Sequence, residues 1–87
     1  MPCICSFRGI RIYMWFREHN PPHFHAVHGE FDASFRIDDF SIFAGELPPS
    51  LSRLVRRWAL RYKSQLEENW RRAREELDLL PIPPLKR

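Results

Sequence analysis

The chain has 87 residues, 44% of them hydrophobic and 14% aromatic, with a formal net charge of +3. That length admits one small domain, and the aromatic content supplies enough apolar surface for a core without disulfides or a structural metal. No apolar run approaches the roughly 18 residues a membrane span needs, and no charged-then-apolar leader opens the chain, so a soluble, cytoplasmic protein is expected. The two cysteines, Cys3 and Cys5, lie one residue apart in a segment that reads as extended, where a bridge would be strained. Charge and histidine are segregated: residues 1–48 carry four arginines against six acids, residues 49–87 ten basic residues against five acids. His19, His23, His25 and His28 all fall in the first part.

In chain order, Ile10-Arg11-Ile12-Tyr13-Met14-Trp15-Phe16 alternates apolar Ile10, Ile12, Met14 and Phe16 with Arg11, Tyr13 and Trp15, the period of a half-buried strand. Glu18 to Pro22 reads as a turn. Gly29-Glu30 is an acceptable two-residue hairpin loop that sets His28 opposite Phe31. Counting outward, Ala26 faces Ala33 and Phe24 faces Phe35 on one side, while Val27 faces Asp32, His25 faces Ser34 and His23 faces Arg36 on the other. A second tight turn at Asp38-Asp39 would pair Ile37 with Phe40 and Phe35 with Ile42. From Pro48-Pro49 the period becomes helical, with Leu51, Leu54, Val55, Trp58, Tyr62, Leu66, Trp70, Ala73 and Leu77 on one stripe to about Leu79. Such a helix would be about 45 Å long, more than a small sheet can cover, so it either breaks near Tyr62 to Ser64 or packs its distal half elsewhere. Leu66, Trp70 and Leu77 would then meet a second copy of the chain, and a homodimer through the distal helix is expected. Pro81, Pro83 and Pro84 turn the tail, 80–87, into an extended arm.

The expected architecture is therefore α+β: a small antiparallel sheet of three to four strands, about 3–43, packed on one long C-terminal helix, about 49–79, either kinked or continuous, in a single domain over 1–87. On the sheet, His23 and His25 share one face with Ser34 and Arg36, and Glu18 and His19 stand at the strand's entrance. Imidazoles titrate near neutrality, and phosphodiester chemistry needs a proton acceptor, a proton donor and a cation. The same histidines equally suit hydrogen bonds that anchor the Pro-Pro turn. Metal ligation is a third reading, but a His-x-His pair without a third ligand at diagnostic spacing assigns neither a metal nor a cofactor. His28, at the margin of the apolar face, reads as structural. On the helix, no acid occurs between Glu46 and Glu67, which leaves Arg53, Arg56, Arg57, Arg61 and Lys63 as a basic patch for nucleic acid or an acidic protein. Farther on, Glu67 and Glu68, Arg71 and Arg72, and Glu75 and Glu76 read as a self-paired solvated face. Tyr13 and Trp15 would serve as a base-stacking pair if their strand lies beside the histidine strand with its polar side aligned, and equally they suit packing under the chain's termini.

Several segments together resemble one bacterial family. These are Met1-Pro2, the Gly9-to-Phe16 strand, the block Glu18-His19-Asn20-Pro21-Pro22-His23-Phe24-His25-Ala26, the helix entry Gly45-Glu46-Leu47-Pro48, Trp58, and Glu68-Asn69-Trp70. They are similar to the bacterial domain of unknown function numbered 4160 (DUF4160). The resemblance runs through nearly the whole chain and rests above all on the Glu-His-x-Pro-Pro-His-x-His block. It implies a small toxin encoded beside a second small domain, the one numbered 2442 (DUF2442), as a toxin–antitoxin pair, and it implicates Glu18, His19, Pro21, Pro22, His23 and His25. Cys3 and Cys5 lie outside that block. The expectation that follows is a toxin with an RNA-directed, ribonuclease-like activity. His23 and His25 would act as acid and base, Arg36 would hold phosphate and Glu18 would orient His19. Arg53, Arg56 and Arg57 would bind the backbone, and a small acidic antitoxin would be the partner. The competing expectation is a non-enzymatic regulatory module that binds protein or nucleic acid. Unchanged RNA at any protein concentration distinguishes it.

Overall fold

The computed structural model describes residues 2–86. Its five strands run in chain order through one antiparallel sheet: β1 (Cys3–Phe7), β2 (Ile10–Tyr13), β3 (His23–His28), β4 (Phe31–Arg36) and β5 (Ile42–Glu46). Two helices follow, α1 (Pro49–Arg61) and α2 (Lys63–Arg74). The α+β class holds, with five strands in place of three to four and with the sheet extending to Glu46. The connection between β1 and β2 uses Arg8 and Gly9, both at positive φ (50° and 76°), as a two-residue hairpin requires. Arginine is a poor signal for that conformation, so the sequence marks this turn weakly.

The β3–β4 register is the one that Gly29-Glu30 dictates, from His28 opposite Phe31 through His25 opposite Ser34 to His23 opposite Arg36. The next connection is wider than expected. Phe35 does pair with Ile42, but Ile37 and Phe40 belong to a loop in which the Arg36 amide donates to the Ser41 carbonyl at 2.8 Å. The cause is local: the Asp38 carboxylate accepts the Asp39 amide, and the Asp39 carboxylate accepts both the amide and the hydroxyl of Ser41. These side-chain bonds replace the ladder bonds of a tight turn. β2 also stops short. Met14 stays buried and donates its amide to Pro2, whereas Phe16, expected on the apolar face, is exposed beside a turn at Arg17.

The single helix expected over 49–79 is two helices, the second ending at Arg74. The break is Tyr62, at φ −115° and ψ 30°, inside the expected Tyr62–Ser64 window. The bend lets both halves of the stripe reach one core: Trp58 meets Phe7 and Phe24 at ring separations of 5.7 and 5.8 Å, while Leu66, Trp70 and Ala73 are buried by the same chain. Leu66 and Trp70 therefore need no second copy to cover them, and only Leu77 of that trio is exposed. The proline-rich arm returns to the sheet. The Ile82 amide donates to Ile4 of β1 at 2.9 Å, the Trp58 indole donates to the Pro83 carbonyl at 2.8 Å, and Ile82 is buried. The arm so occupies the free edge of β1. No helix among the described residues is long and apolar enough to cross a membrane.

Candidate functional site

Strand alternation builds the site. Phe24 and Ala26 point into the core with Trp58, so their neighbours His23 and His25 point to the sheet's other, open face. Register then sets Tyr13 of β2 and Ser34 of β4 on either side of His25. The segment between β2 and β3, which contains a cis Asn20–Pro21 peptide, carries Glu18 back over the entry of β3. The Glu18 Oε1 atom lies 2.6 Å from His25 Nε2 and 3.3 Å from His23 Nε2. The far nitrogens are also engaged: His23 Nδ1 donates to the Pro21 carbonyl at 2.7 Å, and His25 Nδ1 lies 3.2 Å from the Ser34 hydroxyl. The three facing atoms, one carboxylate oxygen and two imidazole nitrogens, all lie within 4.8 Å of one another. Partial burial pushes the Glu18 carboxyl up, but the hydrogen bond from His25 and the charges of both imidazoles outweigh it, so the group titrates below its ordinary value. It is a carboxylate at neutral pH.

Aromatic rings continue the site in both directions. Tyr13 stacks on Trp15 with ring centroids 6.0 Å apart and planes 11° from parallel, and Trp15 meets the His25 ring edge-on at 6.2 Å. His25 meets His23 at 5.1 Å, and His23 meets Phe43 of β5 at 5.1 Å. The condition set for Tyr13 and Trp15 is therefore met, since Tyr13 lies directly opposite His25. Trp70 of α2 closes the entry end, 5.4 Å from the His23 ring. His23 is buried by these walls, while His25 and Glu18 keep side-chain exposures of 19% and 28% and form the accessible part. Phe43, Trp70 and the Pro21 carbonyl were not foreseen as site elements. A Trp on a helical stripe reads as core, and a backbone acceptor leaves no trace in residue type.

The other expected site residues lie apart from this cluster. Glu18 holds His25 and His23, not His19, which is exposed and lines a surface cavity with Arg17, Glu18, Asn20 and Arg74. Arg36 stands opposite His23 in the register but turns its guanidinium onto Asp38, at 3.0 and 2.9 Å. That bond holds the Asp38 carboxyl at about 2. α1 packs through Trp58 on the core face, so its cations are on the side of the sheet away from His25. Arg53, Arg56, Arg61 and Lys63 form no ion pair among the described residues; Arg56 donates to the Phe40 carbonyl and Lys63 to the Asp38 carbonyl, whereas Arg57 has its own partner. The solvated pairing farther on is present, with Arg71 and Arg72 on Glu68 and Arg71 on Glu75.

The family model described as a domain of unknown function (DUF4160) matches residues 9–71, which span β2 through most of α2 and include every residue of the cluster. The chain belongs to the DUF4160 family. No curated protein and no solved structure matches it. The DUF4160 segment thus contains Glu18, His23, His25, Tyr13, Trp15, Phe43 and Trp70, whereas β1 and the proline-rich arm that pairs with it lie outside the match. Chemically, the cluster offers a carboxylate and two imidazole nitrogens converging on one point at the rim of an aromatic row.

Proposed function

We propose that this DUF4160 chain is the toxin of a bacterial toxin–antitoxin pair, that it binds single-stranded RNA across the open face of its sheet, and that it attacks the RNA backbone at Glu18, His23 and His25. The supporting observation is the row Tyr13, Trp15, His25, His23 and Phe43, in which the proton-handling groups sit within the aromatic platform. Aromatic faces take successive bases without regard to sequence, at about 1–3 kcal/mol per base. A base stacked on Trp15 brings its ribose and phosphate to His25 and Glu18, the exposed members of the cluster. There one of these groups takes the proton of the attacking 2′-hydroxyl as its oxygen bonds to phosphorus, and an imidazole N–H gives a proton to the 5′-oxygen as its bond to phosphorus breaks. Arg36 is committed to Asp38, so phosphate contact in this reading falls to the imidazoles. The cations of α1 face away from the platform and fit a small acidic antitoxin rather than the same RNA strand.

Purified chain is incubated with single-stranded RNA beside His25→Ala and Trp15→Ala variants, and each is induced in a growing bacterial culture at matched soluble levels. The expected result is cleavage and growth arrest by the wild type, a loss of rate of about 100-fold or more in His25→Ala, and a raised KM in Trp15→Ala. Equal cleavage by wild type and His25→Ala removes the active-site assignment. RNA that is bound but stays intact with both proteins returns the chain to the binding-module reading.

A further inference from the structure

The point on which Glu18, His23 and His25 converge sets two acceptors against each other whenever His23 is neutral. A backbone carbonyl only accepts, so the His23 proton must be on Nδ1, where it is donated to Pro21 at 2.7 Å. The Nε2 atom of a neutral His23 then presents a lone pair. It faces Glu18 Oε1, also an acceptor, at 3.3 Å. Beside them His25 points its own Nε2 at the same oxygen at 2.6 Å. Its Nδ1 faces the Ser34 hydroxyl, which can donate to it or accept from it. Both rings therefore have Nδ1 engaged behind them and Nε2 directed to one common point. That is how imidazoles are oriented when Nε2 ligates a metal and the other ring nitrogen donates to an oxygen.

We propose that Glu18 Oε1, His23 Nε2 and His25 Nε2 form a binding site for one divalent transition cation of the zinc class, with the remaining coordination positions open to water or substrate. Two imidazoles and one carboxylate are a ligand set that such ions accept at about 2.0–2.2 Å, and a cation placed between His23 Nε2 and Glu18 converts two opposed lone pairs into two bonds. The ligand atoms already lie within 4.8 Å of one another. Tetrahedral coordination sets neighbouring ligand atoms about 3.3 Å apart, so Glu18 Oε1, at 3.3 Å from His23 Nε2 but only 2.6 Å from His25 Nε2, must draw back from His25 to admit the ion. Glu18 can make that movement because it lies on a connection rather than a strand, while the imidazoles are held by β3. Among the described residues the nearby arginines are engaged elsewhere: Arg36, the register neighbour of His23, is bound to Asp38, and Arg17 is paired with Glu76 at 2.9 Å. The walls of His23 are Trp70 and Phe43, which limit water behind the ligands. Any part the cation plays in RNA chemistry rests on the function proposed above; its binding does not.

The test uses the tag-free full chain, stripped with a chelator and titrated with Zn2+ by calorimetry and with Co2+ by visible absorption, alongside Glu18→Gln, His25→Ala and His28→Ala. His28 lies against Gly9, away from the cluster, and serves as the control. Circular dichroism verifies that each variant is folded. The expected result is one Zn2+ per chain, absorption bands of low-coordinate Co2+, and affinity lowered at least about 100-fold in Glu18→Gln and His25→Ala but not in His28→Ala. Zn2+ uptake that is equal in wild type and the two cluster variants, or no uptake by any, overturns the site. The two proposals fail separately. RNA cleavage that persists in chelator without metal uptake removes the cation and keeps the RNA reading, and stoichiometric uptake with no cleavage at any metal loading does the reverse.

Discussion

Cys3 and Cys5 sit two positions apart on β1, which regular alternation would put on one face, but the register shifts between them, with Cys3 opposite Tyr13 and Cys5 opposite Ile12, and they have different chemical fates. Cys3 is exposed, while Cys5 is buried beside the arm, its thiol 3.6 Å from the Pro83 carbonyl. Burial pushes the Cys5 thiol up to about 11. At pH 8 a maleimide is therefore expected to modify Cys3 rapidly and Cys5 only on opening of the fold, which mass spectrometry of the labelled peptide resolves. The sign of the pH effect follows. The folded state holds the Cys5 proton more tightly than the unfolded chain, so the associated stability is whole below pH 9 and is lost as pH rises through about 11. Urea midpoints of wild type and Cys5→Ala should converge over that interval, with a change on the order of 2 kcal/mol. A gap that stays constant would show that burial does not perturb this thiol.

At the scale of elements, two glycines with the same backbone sign serve different ends. Gly29, at φ 58°, closes the β3–β4 hairpin with open space where a side chain would be. Gly45, at φ 74° in β5, is tight against β4, where an added Cβ would run into the Asp32 carbonyl oxygen. Gly29→Ala should lower stability by about 1 kcal/mol, the left-handed penalty alone. Gly45→Ala adds a backbone collision and should lose about 3 kcal/mol or more, because β5 must separate from β4 to admit the methyl. Denaturant unfolding of the two variants side by side measures the difference, and equal losses would mean that β5 yields without strain. Phe43 lies on this strand and touches His23, so displacement of β5 should also disturb the aromatic row.

Over the whole molecule, the arm connects the ends of the chain through one buried side chain. Asn69 of α2 donates Nδ2 to the Leu80 carbonyl and accepts the Leu80 amide on Oδ1, both at 2.8 Å. This clamp starts the path that ends with Ile82 on β1 and Pro83 on Trp58. Asn69→Ala leaves both groups of Leu80 without that partner and is expected to lower stability by about 2 kcal/mol. Hydrogen exchange at the Ile82 amide should rise by more than exchange at His25, since the open face is held by β3 and Glu18 rather than by the arm. Equal acceleration at both amides would mean that arm and sheet unfold as one unit.

The β3–β4 register, and with it the placement of His25 against Ser34 and His23 against Arg36, was legible in the sequence because a two-residue turn and strict alternation leave one pairing that buries Phe24 and Phe35. The helical stripe was legible for the same reason, but its length left two outcomes, a break near Tyr62 to Ser64 or a distal half packed elsewhere, and the fold decided for the break. Where side chains bond to their own backbone, as at Asp38 and Asp39, local chemistry replaced the tight turn, and residue spacing does not encode that choice. The site was half visible: histidines two apart on a strand must share a face, but nothing in their spacing says which carboxylate reaches them. That Glu18 holds His25 and His23 while His19 points elsewhere, that Arg36 goes to Asp38, and that Trp70 buries His23 depend on how a connection folds back and how α2 bends at Tyr62. Periodicity is a property of neighbours along the chain and determined the sheet's faces; convergence of groups from distant segments is a property of packing, and only the tertiary structure decided it.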